Sequence, residues 1–556
     1  MNKFLKAVGI GGLILSSIFS MPNAQAKSKD KGQPGKILYI PQDNRPISNK
    51  QTAEVIEKLG YEVIVPPDEI LGNRDNLGNP EKLWEWLEQT TDKEDKFIKA
   101  AVISSDSMLY GSLVGSRKHN YDEQTLLTRA ERFKEFRKEH KKLPLYVFGS
   151  IMRTPRSGAA SGHEEPEYYR RYGADIFRYT ELRDKNEMEG LNRREKKEYD
   201  FLQKLIPTRA LDDWMGRRNK NFNASKKLIE LSKANTFNYL LLGRDDNAPY
   251  SQTHLESRYL QEYGKELGKT KYQAIAGIDE VGMMMLTRAV NDKTKNVPFI
   301  YVQYNWGRGG DTIPSYSDEK ISASIDSAIT ATGAIKVPSP ERANLVLTVN
   351  TNPDGRTFDA NSAMNDVKER EGTKYFIEMV SDYVNKGYKV SIADIAFSNG
   401  SDNALMEQLK NRGLLFRIRA YSGWNTATNS AGFVLSTGML TNQMTDDAVD
   451  DLLVTRYLDD WAYQANVRNI IARQLTWLRG DGWYGDLDGK KEAVGERTTK
   501  MLINFVDNNL PPFEGNGNLL VIFPWDRMFE SDILRGKDAL EVIEKNTVHL
   551  KKFNNQ

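Results

Sequence analysis

The sequence predicts an α/β protein of parallel strands, in its preferred form a decorated (β/α)8-type barrel with a C-terminal, mainly helical appendage. Three observations carry that expectation. Short apolar runs rich in β-branched and aromatic residues recur along the chain, amphipathic helical stretches separate them, and almost every run ends in a cluster of polar residues. The runs expected as strands are 37–40, 62–65, 100–104, 145–148, 238–242, 272–276, 299–303, 345–349, 389–393 and 416–420. Helical patterns such as 51–59, 123–140 and 223–234 lie between them. Parallel neighbours need a crossover connection, and the helix supplies it. This many strands fit either one barrel or two doubly wound sheets, and the barrel is the preferred arrangement.

Residues 37–440 form the expected α/β domain, with a strongly charged helical insertion at about 158–218. Insertions of that length often serve as lids or substrate walls. From Thr441 the texture changes: 446–478 is one long helical pattern, and a single strand-like run follows at 518–523. Residues 441–556 are therefore expected as the helical appendage.

The N-terminus reads as an export signal. Lys3 and Lys6 precede an apolar stretch at 8–20 that is too short to span a bilayer, and Ala24-Gln25-Ala26 offers the small residues a signal peptidase reads. Residues 1–26 are expected to be removed, and 27–36 to be a flexible leader. No cysteine follows, which excludes a lipoprotein anchor, and no later apolar run is long enough for stable membrane insertion. The mature chain is thus expected outside the cell or in the cell wall, and the lack of disulfides suits a Gram-positive surface.

Composition narrows the chemistry. Lys3 and Lys6 account for the whole excess of 78 basic over 76 acidic residues, so the mature chain is formally neutral. That balance argues against nucleic acid or an anionic membrane as the bulk partner. With no cysteine and only 5 histidines, thiolate zinc, cysteine nucleophiles and His-based zinc sites drop out. No cofactor and no metal are expected in the preferred reading, although hard oxygen ligands for calcium or magnesium stay open. The residues Asp481, Trp483, Tyr484, Asp486 and Asp488 resemble a loose calcium loop but miss the EF-hand spacing. Gly307-Arg308-Gly309-Gly310 lacks the P-loop lysine, and no Gly-x-Ser-x-Gly elbow occurs.

The polar clusters are where chemistry collects. Asp43, Asn44 and Arg45 follow the first run, Asp106 and Arg117 the third, and Arg153 the fourth. Arg244, Asp245, Asp246 and Asn247 end the fifth, and Asp279 and Glu280 the sixth. Asp394, Asn399, Asp402 and Asn403 follow the ninth, and Trp424, Asn425 and Asn429 the tenth. Asp and Asn are ordinary helix caps and turn formers, so one cluster alone says little. Their convergence at the carboxyl ends of parallel strands says more, because ligands bind on that face.

Several of these motifs taken together resemble the bacterial family catalogued as domain of unknown function 4127. They are Asp43-Asn44-Arg45-Pro46, the run 243–250, Gly277-Ile278-Asp279-Glu280-Val281-Gly282, Asp394 with 399–403, and Gly423-Trp424-Asn425-Thr426. The resemblance spans about 37–529; the family tends to have Ala where this chain has Ile278. It implies no particular reaction.

A second resemblance bears on chemistry. The adjacent acids Asp245-Asp246 and Asp279-Glu280 are similar to the paired carboxylates of glycosidases acting on N-acetylhexosamines. There one carboxylate orients the substrate's own acetamido nucleophile and its neighbour is the general acid/base. Asp245, Asp246, Asp279 and Glu280 are the expected catalytic residues. The other residues of the clusters would bind a carbohydrate or other small polar substrate, with Trp424-Asn425 supplying a stacking platform and an amide. Adjacent strand residues normally point to opposite faces, so a pair can share a site only where the strand breaks into a turn. Two alternatives stand beside this expectation. One is a metal-dependent hydrolase using Asp43, Asp106, Asp245, Asp394 and Asp402 as ligands; the other is a non-catalytic receptor for a sugar or peptide. The sequence leaves the oligomeric state open.

Overall fold

The computed structural model describes residues 35–94, 96–156, 163–475 and 483–553. The expected signal peptide, nearly all of the leader and Asp481 lie outside the described residues. The described residues from Gly35 onward form one compact unit.

Two parallel sheets replace the expected barrel. The first contains β1 (Lys36–Ile40), β2 (Glu62–Ile64), β3 (Ile98–Ser104), β4 (Leu145–Ile151), β5 (Tyr239–Arg244) and β6 (Tyr272–Ala276), in the order β2-β1-β3-β4-β5-β6. The second draws on β7 (Phe299–Tyr304), β8 (Ile335–Lys336), β9 (Leu345–Asn350), β11 (Val390–Asp394) and β13 (Ala420–Ser422), in the order β13-β11-β9-β7-β8. Interleaved with the strands of the second sheet, β10 (Phe358–Asp359) and β12 (Phe397–Ser398) form a small parallel pair, and after it in sequence β14 (Leu519–Ile522) and β15 (Asp532–Arg535) form an antiparallel one.

The reason for the difference is one connection in each half. A barrel adds every strand on the same side of the last. Here β3 pairs with β1 instead of β2, so β2 becomes an edge. In the same way β9 pairs with β7 instead of β8. Counted from its own first strand, the second sheet has the order 2-1-3-4-5, as do the first five strands of the first sheet. That is the flavodoxin-type doubly wound order, met twice in one chain. The last expected strand shifts as well: pairing with β11 starts at Ala420 opposite Ser391, after a turn in which the Arg417 N–H donates to Leu414 O.

Two helices carry the contact between the halves. Helix Val281–Thr294 follows β6 and packs on β3, β4 and β5, while helix Ala427–Leu440 follows β13 and packs on β9, β11 and β13; the two pack on each other. Every residue of Ala427–Leu440 is buried, which a helix enclosed on all sides requires. Glycine makes the fit possible. A Cβ at Gly432 would lie 2.5 Å from Glu280 Cγ, and one at Gly438 would lie 2.5 Å from Ser391 Oγ.

The C-terminal region is built into this unit, and the expected appendage is not seen as such. Helices Asp446–Arg456 and Arg468–Gln474 are joined by a π-helical stretch, Tyr457–Val467. Its Tyr457, Leu458, Trp461 and Tyr463 share a core with Val346, Ile392 and Leu405 of the second half and Val521 of β14. The insertion after β4 is helical, with Glu167–Met188, Arg193–Leu205 and the long Thr208–Lys233 enclosing Ile176, Leu182, Leu202 and Trp214. Among the described residues, no helix is long and apolar enough to cross a membrane.

The packing at Gly438 yields a test. Gly438→Ala is expected to lower stability by about 1–3 kcal/mol through overpacking. Gly216→Ala, in a helix with nothing within 4 Å of the added methyl, is expected to be neutral or stabilising by up to about 1 kcal/mol. Urea midpoints of the two variants measured side by side decide it.

Candidate functional site

Loops that follow strands of both sheets line one cleft of about 710 Å3. Arg45 comes from the loop after β1, Arg117 from beyond β3 and Arg153 from the end of β4. Asp245, Asp246 and Asn247 follow β5, and Asp279 follows β6. The second half contributes Tyr316 after β7, Phe358 of β10, Asn399 after β12, and Asn425 and Asn429 after β13. Tyr484, Arg527 and Phe529 from the C-terminal region complete the wall.

Backbone strain collects here. Asp246 (φ 27°), Tyr316 (φ 65°), Asn399 (φ 63°) and Asn425 (φ 56°) all have left-handed backbone and all line the cleft. Asn tolerates that region; Asp246 and Tyr316 adopt it at a cost of order 1–3 kcal/mol each. Strain of this kind persists where the surroundings over-determine it, and it clusters at functional sites.

The carboxylates of the site have different fates. Asp279 is saturated: it accepts from Arg45 Nη2 (2.6 Å), Gln42 Nε2 (2.9 Å), Asn425 Nδ2 (2.9 Å) and Asn429 Nδ2 (3.2 Å). Glu280 turns away from the cleft. It lies beneath Gly277 and Gly432 in apolar surroundings, and burial pushes its carboxyl well above the usual range. This second pair therefore obeys the alternation rule, one acid to each side.

The first pair breaks that rule. Asp245 accepts from Arg117 Nη2 at 2.6 Å and Asp246 from Arg153 Nη1 at 3.1 Å, and both line the cleft. The Asp246 side chain keeps 31% of its surface exposed, against 6% for Asp245, 5% for Asp279 and 9% for Glu164. Burial by the cleft walls and the neighbouring Asp245 charge push the Asp246 carboxyl up to about 6.

Arginines bind the rest together. Glu164, at the start of the insertion, meets Arg117, Arg153 (3.2 Å) and Arg527. Burial would push its carboxyl up, but the three guanidinium groups outweigh it and hold the acid well below the usual range. Arg153 also donates to Glu165 (2.7 Å), and Arg527 to Glu530 (2.8 Å). Unpartnered polar atoms remain at the cleft residues Asn247 (Nδ2), Asn429 (Oδ1) and Arg117 (Nε).

Other expected site residues lie elsewhere. Asp43 accepts from Arg45 Nε at 2.9 Å and so braces a cleft residue from behind. Asn44 accepts from Trp525 Nε1 at 2.8 Å. Asp106 accepts the Ser150 N–H at 2.9 Å, and burial pushes its carboxyl up to about 7. Arg244 is buried outside the cleft, where it meets Asp318 (3.0 Å) and Glu319 (2.7 Å) and so tethers the loop that carries Tyr316. Trp424 is buried against Phe529 and is no stacking platform. Asp394, Asp402 and Asn403 are buried in the second half, away from the cleft: Asp394 accepts from Tyr421 OH (2.7 Å), Asp402 pairs with Arg370, and Asn403 bonds Asn365. The five aspartates of the metal alternative are thus dispersed. Among the described residues, no three His, Asp or Glu side chains group as metal ligands.

Sequence reasoning missed Glu164, Tyr316, Tyr484, Arg527 and Phe529. Arg527 carried a usable signal, since it follows the 518–523 run as the other clusters follow their strands. Phe529 lies in the same loop; Glu164, Tyr316 and Tyr484 lie farther from any strand end, and only the folded chain brings them in.

Fold and site define a class: a two-sheet α/β protein with one cleft between its halves, held by arginine–carboxylate pairs around a single half-exposed aspartate. The chain belongs to DUF4127, a family of proteins of unknown function, whose model matches residues 37–534. No curated protein and no solved structure matches it.

Asp279 is the residue whose loss the site would feel most in stability. Asp279→Ala leaves the buried Arg45 short of one carboxylate and is expected to cost about 3–5 kcal/mol. Asp279→Asn should cost less, because an amide oxygen still accepts. Denaturant midpoints of the two variants check the ranking.

Proposed function

We propose that this protein is an exported glycoside hydrolase that acts on N-acetylhexosamine-containing cell-wall or host glycans. Asp246 is its general acid/base, and Asp245, fixed by Arg117, orients the substrate's acetamido group. One observation supports this reading above the rest. The left-handed backbone at Asp246 breaks the strand alternation, so two adjacent carboxylates reach the same cleft. Asp279 and Glu280 diverge, which removes them from the acid/base role.

In this mechanism the acetamido oxygen attacks the anomeric carbon while Asp246 gives its proton to the departing glycosidic oxygen. Asp246 then takes a proton from the water that opens the oxazolinium intermediate, which restores the starting state. Tyr316, 48% exposed, and the half-buried Tyr484 take the stacking role expected of Trp424. Export follows from the expected signal at residues 1–26.

A carbohydrate receptor without catalysis is the second reading. It is favoured by the commitment of Asp245, Asp279 and Glu164 to arginines, which leaves one acid for chemistry.

The mature protein incubated with peptidoglycan and chitin-type substrates is expected to release new reducing ends, read by mass spectrometry and unaffected by EDTA. Asp246→Asn should lower turnover about 10²–10⁴-fold. A fully active Asp246→Asn protein would sink the assignment. Absence of product from every glycan, with saturable binding, would favour the receptor.

The pH profile follows from the same group. Asp246 must carry its proton for the first step and is held near 6, so kcat should fall as pH rises through about 6. In a protein using Asp246 only for binding, that limb would be absent from the rate.

A further inference from the structure

The second sheet has a pocket of its own. Its strand order reverses between β7 and β9, and the crevice outside such a reversal is where open α/β sheets bind ligands. A pocket of about 280 Å3 lies there, lined by Asn305 and Trp306 after β7, Thr351 after β9, Arg370, Gly372 and Asp402. That volume is near the lower end for small-molecule sites, about 300–1,000 Å3.

The lining is organised more tightly than a surface loop requires. Asn305 Nδ2 reaches Thr351 O (3.1 Å), Gly372 O (3.2 Å) and Asn350 Oδ1 (3.3 Å), which joins the two strand ends to the helix Glu371–Asn385. Asn350 Nδ2 donates in turn to Asp394 (2.9 Å) and Asp402 (3.2 Å). Three features remain unused. No side chain caps the N-terminus of Glu371–Asn385, the Thr351 hydroxyl is buried without a partner, and the Trp306 ring is 40% exposed.

From these residues we infer that the pocket at the β7–β9 reversal is a second ligand site, for one neutral pyranose ring. An aromatic face beside an unpartnered hydroxyl and an uncapped helix N-terminus suits a ring with an apolar side and hydroxyl edges. The ion pair of Arg370 with Asp402 neutralises the charge inside the pocket, and the remaining lining charge, Glu371, is exposed at its rim, so the interior calls for neither a cation nor an anion. The exposed tryptophan face expected at Trp424 is found here at Trp306, while Trp424 is buried.

The site is separate from the larger cleft yet shares a loop with it. Thr351 to Pro353 line the pocket, and Gly355 to Phe358 line the cleft. Asn352 ties the two parts together by donating to Arg356 O (2.8 Å) and Ala396 O (2.7 Å). Gly307 packs on the same loop: a Cβ there would meet Pro353 O at 2.3 Å. The inference does not depend on the catalytic reading of Asp246.

Saturation-transfer NMR of the full mature chain with D-glucose, and separately with N-acetyl-D-glucosamine, tests it. Binding of at least one sugar is expected with a Kd of about 1 mM or tighter. Trp306→Ala should weaken it about tenfold, and Trp306→Phe should retain most of it. For D-glucose, Asp246→Asn should leave binding unchanged, because that residue belongs to the other cleft; for N-acetyl-D-glucosamine, which the larger cleft is proposed to hold, only the part of the signal that depends on Trp306 reports on this pocket. D-glucose binding insensitive to Trp306, or lost in Asp246→Asn, would place the sugar in the larger cleft and overturn the second site. No binding of either sugar would overturn the pyranose class. Since Trp306 is partly exposed, its variants should fold, and unchanged melting temperatures would verify that.

Discussion

One buried carboxylate takes hydrogen bonds from both halves of this protein. Asp279 stands at the end of the first sheet and accepts from Gln42 and Arg45 of that sheet's first loop and from Asn425 and Asn429 of the second half. A buried carboxylate needs its lone pairs filled, and here the fillers come from both sheets. The cleft lies above this junction. Its shape therefore depends on the two halves keeping register, and Asp279 is where that register is held. The left-handed backbone at Asn425 belongs to the same arrangement, because it lets one short loop end a strand and deliver an amide to Asp279.

Arginines do for the walls what Asp279 does for the floor. Glu164 arrives from the insertion, Arg117 and Arg153 from the first sheet, and Arg527 from beyond β14, and all meet in one buried network. Buried ion pairs of this kind seldom add much net stability, because desolvation offsets most of the attraction. Their effect here is geometric. Breaking any one member would strand a charge, so segments far apart in sequence are held to a single arrangement. Within that network Asp246 alone remains half exposed.

Much of this was legible in the residues, and the limits were physical. Parallel strands, their order in the chain and the polar clusters at their ends follow from patterning, and so does the presence of Arg45, Asp245, Asp246 and Asp279 at those ends. The sheet order does not. A barrel and two doubly wound sheets share the same alternation of strand and helix; the difference lies in whether β3 pairs with β2 or crosses back to β1. Within the clusters, type and position could not separate a group facing the cleft from one facing the core. Arg244 and Asp245 are neighbours, yet one tethers an outer loop and the other lines the site. Trp424 and Glu280 were misjudged for the same reason: residue type suggests chemistry, while burial direction decides it.

The repeated strand order explains why polar clusters occur in excess of what one site needs. Each doubly wound sheet places its crossover reversal at a carboxyl edge, and each reversal gathers loop residues there. In the first half those residues, Asp43, Arg45 and Asp106, brace the shared cleft. In the second half the matching residues, Asn305, Asn350 and Thr351, surround their own smaller pocket. Asp394 and Asp402 are then accounted for without a role in the larger cleft, since they anchor Asn350 and Arg370 beneath that pocket. A single fold logic, used twice, produces one large site between the halves and one small site within the second.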